Sequence, residues 1–356
     1  MWQIRWVPCV DAAGEEIPGC TTTPTRATGI IGAWPDGDDV WLRMIGGDAL
    51  AVGGRIVGIG HVDGRVTAAW REPMVSTEPG SVHCLVSARA VGGGRATFVV
   101  QSSNWADMTR SRAWLYVGTP ETIGETTEWV HEFPASFVSR DRLIVGLWIS
   151  AELIALQASP DGSLYSYRDG EWATLTGRGT VEGLPRGTVI IGDHLLWEAW
   201  RSVNDVRLVH ARWSEPAALW RDIAPSDTKG FGTDGIDMAW FDVHNRQPDD
   251  TYARTELWTA QYRRDIEDVE PRMVRVVDVR SNRPAVGGGW VARRSGDPQR
   301  VEVFSLLDGS RRTFVPPRGY VTEEPYYARE RDIMIAGAGT EAIRFDPTLL
   351  PPDPEP

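Results

Sequence analysis

Short strand-like runs that recur along almost the whole chain constrain its fold more than any other feature. Residues 40–45, 143–149 and 255–262 are examples, and most such runs end at Gly, Asp, Asn or Pro, the residues that favour turns. No segment of similar length combines a sustained 3.6-residue apolar period with helix caps. The sequence therefore predicts an all-β protein with few helices.

The runs are organised in a repeating unit. Each unit has an apolar strand, a turn, a second strand, an Asp-Gly turn and a short strand with an aromatic residue. The clearest copy spans residues 142–175, and further copies span 28–70, 188–220 and 290–315. Many short strands with frequent turns are typical of a sandwich, a barrel or a propeller. A repeat of about 40 to 55 residues favours the propeller, with about seven four-stranded blades and six or eight as alternatives.

The two ends of the chain look complementary. Residues 2–7 form an isolated strand-like run, and the last group, residues 326–345, is one strand short. Pairing the two would close the ring and remove exposed sheet edges. We therefore expect a single propeller domain over residues 1–349, closed by the N-terminal strand. The proline-rich segment 350–356 is predicted to be a disordered tail.

Two tetrapeptides carry a family resemblance. Residues 34–37 and 159–162 both contain Pro-Asp-Gly shortly before a strand-like run. They resemble the strand-turn-strand motif of WD40-like and TolB-type propellers. The resemblance implies an architecture and no particular activity, because propellers host many unrelated functions.

Charge and targeting signals limit the partners and the location. The formal net charge is −12, which opposes binding to nucleic acid. No apolar stretch is long enough for a membrane span, and no signal peptide is visible, which favours the cytoplasm. Three reduced cysteines are then expected. The alternative is a Cys9–Cys20 disulfide with Cys84 unpaired, in a mature secreted or periplasmic chain.

Standard catalytic motifs are mostly missing from the sequence. The chain has no dinucleotide-binding glycine pattern, Walker A loop, nucleophile elbow or zincin motif. The remaining candidates for acid–base chemistry are Asp193 with His194, and Asp242 with His244, because an ordinary histidine titrates near neutrality. For each pair, a role as solvated turn residues is the simpler interpretation.

Acidic residues cluster in two turns. Asp36, Asp38 and Asp39 lie in one turn, and Asp234 and Asp237 lie in another. Oxygen-rich loops of this kind can hold Ca²⁺, although the spacing does not match an EF-hand. The simpler interpretation is that aspartate favours turns for reasons of backbone geometry.

Loops supply the candidate binding residues. Asn104 and Trp105 lie in a polar loop, while most other tryptophans fall in strand-like runs and are predicted to pack between sheets. Two long insertions interrupt the repeats, and loops carry binding function more often than scaffold strands do. Their candidate binding residues are Lys229, Phe231, Arg263 and Arg264.

Two functional hypotheses follow. The first is a non-enzymatic binding or scaffold module that recognises a protein, a peptide or a saccharide through its loop face or channel mouth. The second is a propeller hydrolase or lyase that uses Asp, His and Arg side chains at the channel mouth, with Ca²⁺ as a candidate ion. No other cofactor is expected.

Overall fold

The computed structural model is built almost wholly from β-strands, as the sequence predicts. Its one helical element among the described residues is a 3₁₀ turn over Pro347–Leu349. None of the helical structure in this part of the chain is long and apolar enough to cross a membrane. The structure describes residues 4–23, 28–36, 39–46, 56–64, 66–71, 82–104, 112–123, 129–134, 143–151, 153–159, 163–176, 184–191, 194–202, 205–212, 221–222, 228–234, 236–246, 252–261, 270–277, 284–295, 300–317, 325, 327–329, 332–336 and 342–354.

Within these ranges the strands form seven sheets, six with four strands and one with five. The four-stranded sheets each follow chain order. The first comprises β3 (Thr28–Asp36), β4 (Asp39–Gly46), β5 (Ile56–His61) and β6 (Val66–Arg71). The second comprises β7 (Val82–Gly92), β8 (Arg95–Asn104), β9 (Arg112–Gly118) and β10 (Trp129–Glu132). The third comprises β11 (Leu143–Ile149), β12 (Ile154–Ser159), β13 (Leu164–Arg168) and β14 (Glu171–Thr176).

The next three four-stranded sheets repeat this order. They comprise β15 (Leu184–Ile191), β16 (His194–Ser202), β17 (Asp205–Arg212) and β18 (Arg221–Asp222); β19 (Thr228–Thr233), β20 (Asp237–Arg246), β21 (Tyr252–Gln261) and β22 (Arg272–Val277); and β23 (Ala285–Gly287), β24 (Trp290–Arg294), β25 (Val301–Ser305) and β26 (Arg311–Phe314). The five-stranded sheet has the order β1-β2-β29-β28-β27. It comprises β1 (Val7–Val10), β2 (Glu16–Thr22), β27 (Tyr327–Arg329), β28 (Asp332–Ala336) and β29 (Ala342–Phe345).

The chain divides into two compact units. Unit 1 comprises Met1–Ile4, Ile31–Leu196 and Ala211–Trp220, and unit 2 comprises Arg5–Ile30, Trp197–His210 and Arg221–Pro356. The predicted single domain over residues 1–349 stays a prediction.

Alternating side chains and tight turns explain the hairpins. In β9 the residues alternate between buried and half-buried positions along most of the strand, as expected for a strand with two unlike faces. The β13–β14 hairpin turns at Asp169 and Gly170, whose φ angles are 50° and 90°. Positive φ at both central residues matches the twist of the flanking strands, and Asp-Gly tolerates it well. The Asp-Gly signal in the sequence therefore marks a real turn.

Apolar side chains of neighbouring sheets pack together within each unit. In unit 1, a cluster that includes Val99, Leu115, Leu156 and Tyr165 joins strands β7–β10 with β11–β14. In unit 2, Phe241, Leu257, Val286 and Phe304 join β19–β22 with β23–β26. Four tryptophans in strands are buried, as predicted: Trp41, Trp197, Trp240 and Trp290.

An N-terminal strand completes the C-terminal sheet, as predicted, but it is β2 (Glu16–Thr22) and not the expected strand 2–7, of which residues 2 and 3 lie outside the described part of the chain. Strand β2 pairs with β29, with Cys20 opposite Phe345 and Thr22 opposite Ile343. Strand β1 pairs with the outer side of β2. The physical reason is a turn in which Asp11 Oδ1 accepts from the N–H groups of Ala13 and Glu15. This turn folds the segment into a hairpin, whose second strand, β2, pairs with β29.

A disulfide joins Cys9 and Cys20, so the expectation of three reduced cysteines is wrong for this pair. Antiparallel pairing of β1 with β2 places their Cα atoms 5.3 Å apart, within the range that a disulfide spans. Both residues are buried in a cluster with Trp290, Ile343 and Phe345. Cys84 lies in β7, and its side chain is outside the described part of the structure.

The C-terminal segment also differs from its prediction as a disordered tail. Pro352 forms an isolated antiparallel bridge with Arg312, and the Asp353 N–H donates to the Arg311 carbonyl. The Asp353 carboxylate accepts from Arg311 Nε at 2.8 Å and from Thr313 Oγ1 at 2.7 Å. Asp353 and the bridge at Pro352 together hold these residues against β26, through contacts that the composition of the segment does not predict.

Removing the disulfide is expected to destabilise the protein. In a Cys84→Ser background, reductant should lower the free energy of unfolding by about 2–3 kcal/mol, because the broken bond no longer restricts the unfolded chain. Denaturant unfolding with and without reductant measures the change. A Cys9→Ser, Cys20→Ser, Cys84→Ser variant should show no response to reductant, and an equal response there would contradict the assignment.

Candidate functional site

The aspartates proposed as metal ligands in the first acidic turn have other partners. Asp36 Oδ1 accepts from the Gly93 N–H and Oδ2 from the Gly94 N–H, each at 2.8 Å. Both carboxylate oxygens therefore bind the β7–β8 turn. Asp39 lies 3.2 Å from His61 Nε2, and Asp63 lies 2.9 Å from His61 Nδ1.

The second acidic turn repeats this arrangement in unit 2. Asp234 Oδ1 accepts from the N–H groups of Ile236 and Asp237, and its Oδ2 accepts from the Gly288 N–H at 3.2 Å. Burial and the nearby Asp234 charge raise the pKa of Asp237. Within the described ranges, no group of three or more His, Cys, Asp and Glu side chains could hold a metal ion. Asp38 lies outside those ranges.

Asp242 and His244, the second predicted acid–base pair, belong to a network on one face of β20 and β21. Asp242 lies opposite Glu256 and His244 opposite Arg254, so the four side chains share a face. Glu256 binds His244 Nε2 at 3.3 Å, Arg254 Nη2 at 2.6 Å and Trp258 Nε1 at 3.0 Å. The sequence signal missed Glu256 and Arg254 because both lie on the neighbouring strand.

Burial in this network decreases toward the end of the strands. Asp242 is only 1% exposed and Glu256 8% exposed, whereas His244 is half-buried and Arg254 is exposed. Burial acts to raise the pKa of Glu256, but hydrogen bonds from Trp258 and His244 and the charge of Arg254 outweigh it and lower that pKa. The arrangement stabilises a buried carboxylate and leaves little of either acid accessible to a substrate.

The remaining predicted site residues have varied placements. Phe231 is only 4% exposed, so its prediction as a binding residue is wrong: its ring packs in the protein interior, where an apolar side chain on a strand is most stable. Asn104 lies in β8, Lys229 in β19 and His194 in β16, and their side chains are outside the described part of the structure. Trp105, Asp193, Arg263 and Arg264 fall outside the described residues.

Exposed apolar side chains identify a surface that the sequence did not. Four of the seven large exposed hydrophobic residues in the described part of the chain lie on β22, on the β25–β26 turn that binds β22, or on the β19–β20 turn. They are Ile236, Met273, Val276 and Leu307, with exposures of 66%, 42%, 49% and 87%. We call these four residues the β22 surface. Clustered exposed apolar side chains mark interaction sites more often than isolated ones do.

Hydrogen bonds connect the elements that carry the β22 surface. The backbone N–H of Gly289, on the turn whose Gly288 binds Asp234, donates to Asp237. The Gly289 carbonyl in turn accepts from the Leu306 N–H at 2.8 Å. The Leu306 carbonyl accepts from the guanidinium of Arg272. The three elements are therefore fixed to one another, and the turns present Ile236 and Leu307 on a supported backbone.

Among the described residues, carboxylates outnumber guanidinium groups around this surface. Asp234, Glu270 and Asp308 are exposed and Asp237 is half-buried, against two arginines, Arg272 and Arg275. Hydrogen bonds from the Ser310 backbone N–H and from the Ser305 and Ser310 hydroxyls lower the pKa of Asp308 to about 2. Asp308 therefore stays negatively charged throughout the physiological pH range.

Comparisons with known proteins bear on the fold. No family model and no curated protein matches the chain. Among solved structures, the Myceliophteria thermophila Cps50 (Swd1) β-propeller domain is 12% identical, with 91% of this chain and 99% of that domain covered and a TM-score of 0.53. KlHsv2 with loop 6CD replaced by a Gly-Ser linker is 11% identical, with 87% of this chain and 90% of that chain covered and a TM-score of 0.48. The WD40 domain of SCAP from fission yeast is 9% identical, with 98% of this chain and 95% of that domain covered and a TM-score of 0.44.

The predicted fold class is therefore confirmed. A chain of four- and five-stranded antiparallel sheets that matches a propeller domain over 91% of its length has a β-propeller fold. The number of blades stays a prediction.

Replacing Asp36 should destabilise the protein whether or not calcium is present. Asp36→Ala should lower the free energy of unfolding by about 1–2 kcal/mol, because two N–H groups of the β7–β8 turn lose their acceptor. Thermal or denaturant unfolding in calcium and in chelator measures the change. Asp39→Ala is the matched control, because Asp39 lies in the same turn but binds a side chain at the surface. Its substitution should lower the free energy of unfolding by less than Asp36→Ala does. A loss seen only with calcium would instead indicate a metal site.

Glu256 should contribute a pH-dependent stability. Because its pKa is lower in the folded than in the unfolded state, its contribution is complete above a pH of about 4.5 and is lost as the pH falls toward the folded-state pKa. Glu256→Gln should therefore be destabilised by about 1–3 kcal/mol at neutral pH, and the difference from wild type should shrink in acid. Exposed Glu121→Gln is the control. A difference that stayed constant with pH would contradict this role.

Proposed function

We propose that the chain is a non-enzymatic interaction scaffold whose β22 surface binds a segment of a partner protein. The observation that carries the proposal is that four large exposed apolar residues lie on elements of unit 2 that hydrogen bonds join to one another. Burying such side chains against a partner would remove apolar area from water, at about 25 cal/mol per Å². Propeller folds host many functions, so the proposal rests on this surface.

Charge selects the kind of partner segment. Among the described residues, four carboxylates and two guanidinium groups lie on the elements that carry the β22 surface or next to them, and the whole chain carries a net charge of −12. Complementary charge increases association rates and discriminates among partners. The occupant that fits is a peptide segment that combines aliphatic or aromatic side chains with Lys or Arg. A saccharide fits less well, because none of these four side chains offers an aromatic ring for stacking.

The catalytic alternative has less support from the geometry. Its best candidates, Asp242 and Glu256, are buried, and the Glu256 carboxylate binds His244, Arg254 and Trp258. Accessible acid–base groups within reach of a substrate would be needed.

For the location, the Cys9–Cys20 disulfide supports an oxidising compartment. We therefore propose the secreted or periplasmic alternative over the cytoplasmic one.

Selection from a displayed library of random dodecapeptides tests the proposed function. Enriched peptides should combine apolar residues with Lys or Arg. They should bind the Ile236→Ser, Met273→Ser, Leu307→Ser variant at least about tenfold more weakly, equivalent to about 1.4 kcal/mol. These positions are exposed, so the variant should keep its fold, which its unfolding midpoint checks.

A Val10→Ser, Val315→Ser variant is the matched control, because it removes exposed apolar residues elsewhere in the protein. It should bind the peptides as wild type does. The proposal fails if no peptide is enriched, if enriched peptides are acidic, or if they bind the triple-serine variant with undiminished affinity.

A further inference from the structure

Strand β22 lies at the edge of its sheet. It pairs with β21 along one side, from Thr255 opposite Val277 to Thr259 opposite Arg272. No strand of the described chain pairs with its other side. An edge of this kind presents unpaired N–H and C=O groups, which are able to pair with another extended segment.

The adjacent sheet shows how this protein covers such an edge. Its outer strand, β26, carries the C-terminal segment, through the bridge between Arg312 and Pro352 and the bond from the Asp353 N–H to the Arg311 carbonyl. The carboxylate of Asp353 adds side-chain bonds to Arg311 and Thr313. The outer strand β26 therefore accepts a backbone hydrogen bond from a further segment while it stays paired with β25.

The side chains of β22 favour occupation. Met273 and Val276 are 42% and 49% exposed. They lie opposite Trp258 and Glu256, and the register shift between these pairs places both side chains on the same face of the sheet. Charged side chains usually protect open edges from unwanted pairing. Here Arg272 donates to the Leu306 carbonyl and Arg275 Nη1 to the Gly309 carbonyl at 3.2 Å. Both arginines are therefore directed toward the neighbouring β25–β26 turn.

The acidic residues lie at one end of this edge. Glu270 precedes β22 by two residues, and Asp308 belongs to the turn that binds Arg272 and Arg275. A segment lying along β22 would therefore meet apolar side chains along the strand and carboxylates where the strand begins.

We infer that the partner segment binds as an added β-strand along the outer edge of β22, with aliphatic residues against Met273 and Val276 and a Lys or Arg near Glu270 and Asp308. This inference rests on the proposed function and specifies its mode of recognition. Backbone hydrogen bonds would supply affinity, and the alternating side chains would supply selectivity.

N-methylation of each residue of the highest-affinity selected dodecapeptide tests the mode of binding. In a paired strand, alternate N–H groups point toward the neighbouring strand. N-methylation should therefore weaken binding at least about tenfold at every second residue over a stretch of about four to six residues, with little effect in between. When the peptide binds, amide hydrogen exchange within residues 272–277 should slow at the N–H groups that do not pair with β21.

Outcomes that overturn the strand mode differ from those that overturn the function. If peptides require the β22 surface but tolerate N-methylation throughout, or are sensitive at every third or fourth residue, strand addition is wrong and the proposed function stands. If no selected peptide requires the β22 surface, both are wrong. A two-residue period confined to peptides that lose affinity for the triple-serine variant supports both.

Discussion

Antiparallel pairing of β2 with β29 is the interaction on which the C-terminal sheet depends. It joins residues 320 positions apart in the sequence, since the Thr22 hydroxyl donates to the Ala342 carbonyl in addition to the strand pairing. Without β2, strand β29 would expose one whole edge of backbone N–H and C=O groups. The Cys9–Cys20 disulfide then fixes β1 to β2, and both cysteines add to the core around Phe345. The ring of Phe345 stacks on Phe314 of the adjacent sheet, with centroids 3.9 Å apart, so terminal pairing also positions the core.

The excess of acidic residues has a structural use in this fold. Asp36 and Asp234 both follow or end the first strand of a sheet, and both accept N–H groups from the first hairpin turn of the next sheet along the chain. N–H groups in a turn have no strand partner, so a nearby carboxylate supplies the hydrogen-bond acceptor that they lack. A similar contact occurs near the C-terminus, where the Asp353 carboxylate accepts from Arg311 and Thr313 of β26. Clusters of aspartate in this sequence therefore indicate contacts between turns and neighbouring elements at least as much as sites for ions.

The β22 surface depends on these same contacts. Asp234 fixes the turn that carries Ile236 to the β23–β24 turn, and Arg272 fixes the start of β22 to the turn that carries Leu307. Rigid presentation reduces the entropy lost when a partner binds. In this protein the proposed binding surface and the stability of unit 2 depend on the same hydrogen bonds. The proposed serine substitutions are therefore confined to exposed side chains that take no part in these hydrogen bonds.

The sequence by itself determined the local structure. Periodicity and turn residues correctly predicted an all-β chain of short antiparallel strands, the Asp169–Gly170 turn and the burial of Trp197 and Trp240, because these depend on dihedral preference and on alternation between neighbouring residues. Only the tertiary structure decided that Asp36 binds the N–H groups of Gly93 and Gly94, and that Glu256 lies beside Asp242 and His244. It also decided that Phe231 is buried and that Leu307 is exposed. Each of these depends on strand register and on contacts between residues far apart in the chain, and the composition of a single segment does not encode them. The same reason explains the tail: Pro352 and Asp353 are ordered by Arg311 and Arg312, side chains that the local sequence around them does not contain.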